Sequence, residues 1–145
     1  MKLPFTIEEF RAIYSKVPRL NVEVIVKTES GVLLSKRSIE PWKGKWHIPG
    51  GTVYMYEDLE DAVKRVALDE LGVSVSIGAL IGYITYPGIK AQNTYGWPVG
   101  IAFSAKIIGG EIRGSRQGKE VRAFLEIPDG TIPEHAAFLT DHSLL

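Results

Sequence analysis

Apolar and polar positions fall into short runs of different period along the chain. Residues 21–28 (NVEVIVKT) alternate and are rich in β-branched side chains, which predicts a strand. The following Glu29-Ser30-Gly31 predicts a turn, and residues 32–38 (VLLSKRS) the returning arm of a hairpin. Residues 46–51 (WHIPGG) predict a short strand ending in a glycine pair. Residues 73–87 predict one or two strands, and 99–108 and 119–127 two more, with loops over 88–97 and 109–118. Helical signals sit between them. Thr6 and Glu9 form a capping box, and Phe5 with Phe10 a hydrophobic staple, opening a helix from about 7 to 15. Residues 58–71 (DLEDAVKRVALDEL) predict the main helix. Asp58, Glu60 and Asp61 lie in its first turn, where the helix dipole favours anions, and Gly72 supplies the stop. Residues 132–141 predict a short terminal helix. One helix interrupting a run of antiparallel-looking strands gives an α+β fold with a mixed sheet.

Composition narrows the class. At 145 residues the chain is read as one domain, 1–145. Hydrophobic residues at 45% and charged residues at 23% fit a packed globular protein rather than a disordered one. Seventeen basic residues balance seventeen acidic ones, which argues against nucleic acid as the main partner. The absence of Cys excludes disulfides, thiol catalysis and Cys-ligated metal centres. Glu8, Glu9 and Arg11 interrupt the first apolar residues, so the N-terminus is not read as a signal peptide. No run approaches the roughly 18 apolar residues of a membrane span. A cytoplasmic location with no membrane partner is expected.

The main helix carries the chemistry. At about 100° per residue, Leu59, Ala62, Val63 and Val66 form its apolar stripe, and Asp69 and Glu70 fall at the stripe's edge. Carboxylates facing a core need a partner. Two readings are open from spacing alone. Glu60–Lys64 and Asp61–Arg65 are solvated i,i+4 pairs and Glu70 sits at a frayed end, or the carboxylates hold a hard cation, Mg²⁺ or Mn²⁺, for a phosphate substrate.

From Gly51 the chain reads Gly51, five residues, Glu57, seven residues, then Arg65 to Val73 as RVALDELGV. This resembles the Nudix box, G-x5-E-x7-R-E-U-x-E-E-x-G-U, over about 51–73. Gly51, Glu57, Arg65, Glu70, Gly72 and Val73 match at the required spacing, and WHIPGG resembles the family's lead-in. The resemblance implies a Nudix-like α/β/α sandwich with a mixed β-sheet and one main catalytic helix. It also implies a divalent-metal-dependent hydrolase acting on a small nucleotide, and a possible homodimer. Two positions depart from the pattern. Asp69 stands where the family has Glu, and Val66 where it has a carboxylate that binds metal or acts as a base. Losing that oxygen implies fewer metal ions, with Gly50, Asp69 and Glu70 as ligands.

The Val66 departure occurs in the GDP-mannose mannosyl hydrolase branch, which the chain resembles over most of its length. In that branch water attacks the sugar's anomeric carbon and the nucleoside diphosphate leaves. By position, Arg37 then contacts the departing diphosphate, Arg65 assists or braces it, and Gln117 completes the metal shell. Glu23 falls where the branch has an acidic residue near the nucleotide; its plain reading is an outward polar position on a strand. The branch's general base is a His directly after that Gln, and here the position is Gly118. Glu120, two residues on, is the substitute base if apolar surroundings raise its pKa. Tyr95 and Trp97, with Tyr86 before them, are candidates to stack on a nucleobase, or else core plugs or dimer contacts. Lys43 and Lys45 bring positive charge near the glycines, while His135 and His142 read as structural or exposed. The expected substrate is a nucleoside diphosphate joined to another moiety, such as GDP-mannose. The alternatives are a conventional pyrophosphohydrolase using Glu120, or a weakly catalytic Nudix-fold nucleotide-binding module.

Overall fold

The computed structural model describes residues 4–92 and 96–145. Helix α1 (Ile7–Tyr14) is opened by both hydrogen bonds of the Thr6–Glu9 capping box, and the Phe5 and Phe10 rings sit 5.7 Å apart. Strands β1 (Arg19–Thr28) and β2 (Gly31–Lys36) form the hairpin, followed by β3 (Trp46–His47) and β4 (Gly50–Thr52). Helix α2 (Leu59–Leu71) ends at Gly72, whose φ of 73° is the left-handed conformation that favours glycine. Strand β5 (Val73–Thr85), a 3₁₀ turn (Pro87–Gln92), β6 (Pro98–Gly110), β7 (Glu120–Phe124) and α3 (Pro133–Asp141) complete the order. The stretch 73–87 thus forms a single strand, irregular in register between Ser74 and Gly82, and the last strand stops at Phe124.

The strands form one mixed sheet in the order β3-β2-β1-β6-β5, with β4 added to β1 and β7 to β2. Strands β1 and β6 run parallel, Arg19 to Val26 against Pro98 to Ala105, and the other strand pairs among the described residues run antiparallel. The alternation in β1 is not an inside–outside alternation, because Asn21 to Val26 are all buried. Val22, Val24 and Val26 pack with Ala62, Val63, Val66 and Leu71 of α2 on one face. Ile25 packs with Trp46, Ile48, Phe138 and Leu139 on the other. The sheet therefore lies between α2 and α3, as an α/β/α sandwich. Each fully buried Val or Ile of β1 contributes about 1.5–3 kcal/mol, so the central strand is held from both sides. Among the described residues no helix is long and apolar enough to cross a membrane.

Candidate active site

The loop joining β4 to α2 is held by one ion pair. Arg65 donates from Nε to Glu57 Oε2 at 2.7 Å and from Nη2 to Glu57 Oε1 at 2.9 Å. Nη2 also donates to the Thr52 carbonyl at 2.7 Å, and the guanidinium lies 4.2 Å from the centre of the Tyr54 ring. Such a two-point pairing fits the planar fork of Arg. The hydrogen bonds from Arg65 hold the Glu57 carboxyl below its usual range. The solvated Asp61–Arg65 pair is therefore not what forms: Arg65 reaches back to Glu57 instead, with Asp69 Oδ2 3.8 Å from its Nη1.

Gly51 lets β4 approach α2, since a Cβ there stands 3.0 Å from Val66 Cγ2. Val66 itself is 2% exposed and belongs to the core. One turn later the helix presents Asp69 and Glu70, both half-buried. Asp69 Oδ2 is buried and accepts no hydrogen bond. Glu70 Oε2 accepts the Ser115 hydroxyl at 2.8 Å. Burial raises the Glu70 carboxyl, opposed by that hydrogen bond and by the Arg37 charge.

Arg37 is half-buried rather than an ordinary exposed strand end, and its Nε donates to the Pro41 carbonyl. Burial lowers its pKa, while the carboxylates of Glu70 and Glu23 act to raise it. Glu23 pairs in register with Gly50. It is 3% exposed, which overturns its reading as an outward polar position. Two glycines make room for its carboxyl: a Cβ at Gly50 stands 2.2 Å from Oε2, and one at Gly100 2.5 Å from Oε1. Burial lifts this carboxyl to about 8, against the Tyr86 hydrogen bond and the Arg19 and Arg37 charges.

A directed chain of hydrogen bonds ends at Glu23. The Ile48 N–H donates to His135 Nδ1 at 2.9 Å, so the neutral ring carries its proton on Nε2. That nitrogen lies 2.7 Å from the Tyr86 hydroxyl, which donates to Glu23 Oε1 at 2.8 Å. Burial drops His135 to about 3. His47 stacks on it at 6.2 Å and is also held well below its usual range by burial, then by Arg37. Tyr86 is 5% exposed, so its ring belongs to the interior and is closed to a nucleobase.

Gln117 is exposed, and its carbonyl accepts the Ser38 N–H at 2.9 Å. Gly118 is closed against β2, because a Cβ there stands 2.0 Å from Ser35 Oγ. Glu120 is a residue of β7 rather than of a loop. Its carboxylate is 39% exposed and pairs with Arg122 at 3.0 Å, so the apolar surroundings required of a substitute base are not there. Trp97 is 38% exposed, with Lys90 Nζ 5.7 Å from its ring centre. Tyr95 lies outside the described residues. Lys43 and Lys45 are exposed in the loop before β3. Sequence reasoning missed Ser115, Ser35 and the pairing of Tyr86 with His135. These contacts span 45 and 49 residues of chain and leave no local pattern.

The site's donor set suits a hard cation in type, since its side-chain ligands are carboxylates and Asp69 offers a buried oxygen without a hydrogen bond. Among the described residues no three His, Asp or Glu side chains converge on one point. The remaining oxygens would come from backbone and water.

A NUDIX domain model matches residues 17–124, and the chain belongs to the Nudix family. Over 75 residues, 52% of this chain and 48% of the relative, it is 47% identical to the low-salt glycan biosynthesis protein Agl8 of Haloferax volcanii. Over 107 residues, 74% of this chain and 62% of the relative, it is 32% identical to the ADP-ribose pyrophosphatase of Methanocaldococcus jannaschii. Both matched stretches span less than two thirds of the relative's own length. The crystal structure of a NUDIX hydrolase from Nitrosomonas europaea superposes with a TM-score of 0.70 at 30% identity, over 84% of this chain and 68% of that one. Nudix hydrolases generally use divalent metal ions.

Proposed function

We propose that the chain is a divalent-metal-dependent hydrolase of nucleoside diphosphates joined to a second moiety, with a nucleotide sugar such as GDP-mannose as its preferred class. Mg²⁺ or Mn²⁺ is the proposed ion, held by Asp69, Glu70 and the Gly50 carbonyl, with Gln117 as a further oxygen. The observation that carries the reading is the buried Asp69 oxygen, which accepts no hydrogen bond and faces Arg65 Nη1 at 3.8 Å, on the same helix turn as Glu70, with the Arg37 charge acting on Glu70 and Glu23. That arrangement offers a cation and a guanidinium to one diphosphate. When bound, the cation withdraws charge from the diphosphate oxygens. Arg37 neutralises the leaving group, Arg65 braces the loop, and Glu23 and Trp97 are the candidates on the nucleotide side.

Val66 in place of a carboxylate favours cleavage at the sugar carbon. Water adds to the anomeric carbon, the carbon–oxygen bond breaks with its electrons to the diphosphate, and the water's proton is released. Of the relatives, the one named an ADP-ribose pyrophosphatase supports a diphosphate substrate, and the one named a glycan biosynthesis protein fits a sugar-related one. We take the cytoplasm, a homodimer and a single domain over 1–145 as parts of the same proposal. Incubation with Mg²⁺ and GDP-mannose, ADP-ribose or dinucleoside polyphosphates in ¹⁸O water tests it. Label in the sugar hydroxyl supports carbon attack, label in phosphate supports the conventional pyrophosphohydrolase, and no turnover of any probe refutes hydrolysis. A second reading, a nucleotide-binding module with little catalysis, draws on Val66 and Gly118, neither of which offers a group to hold a metal or take a proton, and on the pairing of Glu120 with Arg122. Tight nucleotide-sugar binding without consumption supports that module.

A further inference from the structure

We infer that Ser115 is a positioning residue for Glu70, fixing which of its oxygens faces the cation. This rests on the metal reading above. The Ser115 hydroxyl uses its one proton on the helix. It donates to Glu70 Oε2 at 2.8 Å and accepts the Gly118 N–H at 3.2 Å. The Ser115 N–H in turn donates to the Gly118 carbonyl at 2.9 Å, closing residues 115–118 into a tight turn. One oxygen of Glu70 is thus engaged from the loop side, and Oε1 is the one left for an ion.

Gly118 is part of the same device. Its N–H reaches the Ser115 hydroxyl, and a Cβ there would stand 2.0 Å from Ser35 Oγ, so a side chain at 118 must displace either that hydroxyl or the turn. The loop then meets the helix through a serine hydroxyl rather than through a side chain at 118. Groups that hold a metal ligand in place affect metal affinity about 10- to 100-fold when removed.

The test is titration of the metal-free protein with Mn²⁺ alone, read by electron paramagnetic resonance, so that no substrate is needed. Ser115→Ala is expected to weaken Mn²⁺ binding about tenfold. Ser115→Thr, which keeps the hydroxyl, should restore most of it, and Gly118→Ala should weaken it like Ser115→Ala. Ser115→Ala binding within about twofold of the parent overturns the inference, as does equal weakening by Ser115→Ala and Ser115→Thr. Glu70→Gln run alongside separates the two levels of the proposal. If Glu70→Gln leaves Mn²⁺ affinity intact, the metal reading itself fails and takes the positioning role with it. If Glu70→Gln weakens binding and Ser115→Ala does not, only the positioning role fails.

Discussion

Replacing Glu23 by Gln should remove a pH dependence of stability that the buried carboxyl imposes on the parent. An unfolded Glu23 carboxyl titrates near 4.5 and the folded one near 8. Between those values the native protein holds a proton that the unfolded chain has released. Stability from this group is complete below 4.5 and is lost as pH rises through 8. At about 1.4 kcal/mol per pH unit, the window is worth about 5 kcal/mol. His135 acts in the opposite sense. Its folded pKa lies near 3 against an ordinary 6.5, so its stabilisation is complete above 6.5 and is lost as pH falls toward 3. His47, also held well below its ordinary value, adds to the slope of His135, so the difference between variant and parent, rather than the parent's own profile, isolates Glu23. Gln is close in shape to the neutral carboxyl, can accept the Tyr86 hydroxyl through its own oxygen, and does not titrate. Urea unfolding of parent and Glu23→Gln in EDTA, at intervals from pH 4.5 to 8.5, isolates the term. The variant should gain about 5 kcal/mol relative to the parent across that range. A stability difference that stays constant with pH refutes the assignment of a neutral, buried Glu23.

Three further outcomes follow from the site. Arg65→Ala removes a two-point charged contact, the Thr52 bond and the stacking on Tyr54; urea unfolding should register a loss of about 2–3 kcal/mol. Val66→Glu places a carboxylate against the valines of β1, and calorimetry of the metal-free protein should register about 3 kcal/mol or more of destabilisation. A rise in its hydrolytic rate would instead favour the phosphorus-attacking alternative. Glu120→Gln should change kcat less than about threefold, because the carboxylate is exposed and paired with Arg122; steady-state kinetics showing a loss of a hundredfold or more, the scale of general-base catalysis, would make Glu120 the base.

Much of the fold is legible locally. The acidic first turn and Gly72 bound α2 to within a residue at its start, and the Thr6–Glu9 box marks α1. The spacing from Gly51 to Val73 identifies the family without any tertiary knowledge, because it sits within one loop and one helix. Burial of β1 is less legible. Its pattern resembles a half-exposed strand, yet β6 runs parallel beside it and helices cover both faces, so Glu23 ends inside. The site's long-range contacts leave no trace in the sequence at all. Ser115 meets Glu70, and Tyr86 meets His135, only after the sheet has formed. Arg65 shows the limit of helical spacing as a guide. Asp61 is one turn away, but Glu57 in the preceding loop offers both oxygens to the guanidinium fork at 2.7 and 2.9 Å.

The most direct test of a metal-dependent hydrolase built on Glu70 is a Mg²⁺ titration of nucleotide-sugar hydrolysis by the parent protein and by Glu70→Gln. Stripped parent in EDTA should show no turnover, Mg²⁺ should restore it saturably, and Glu70→Gln should lose most of the metal response with its unfolding curve intact. Turnover in EDTA, or a Glu70→Gln protein that responds to Mg²⁺ like the parent, contradicts that assignment.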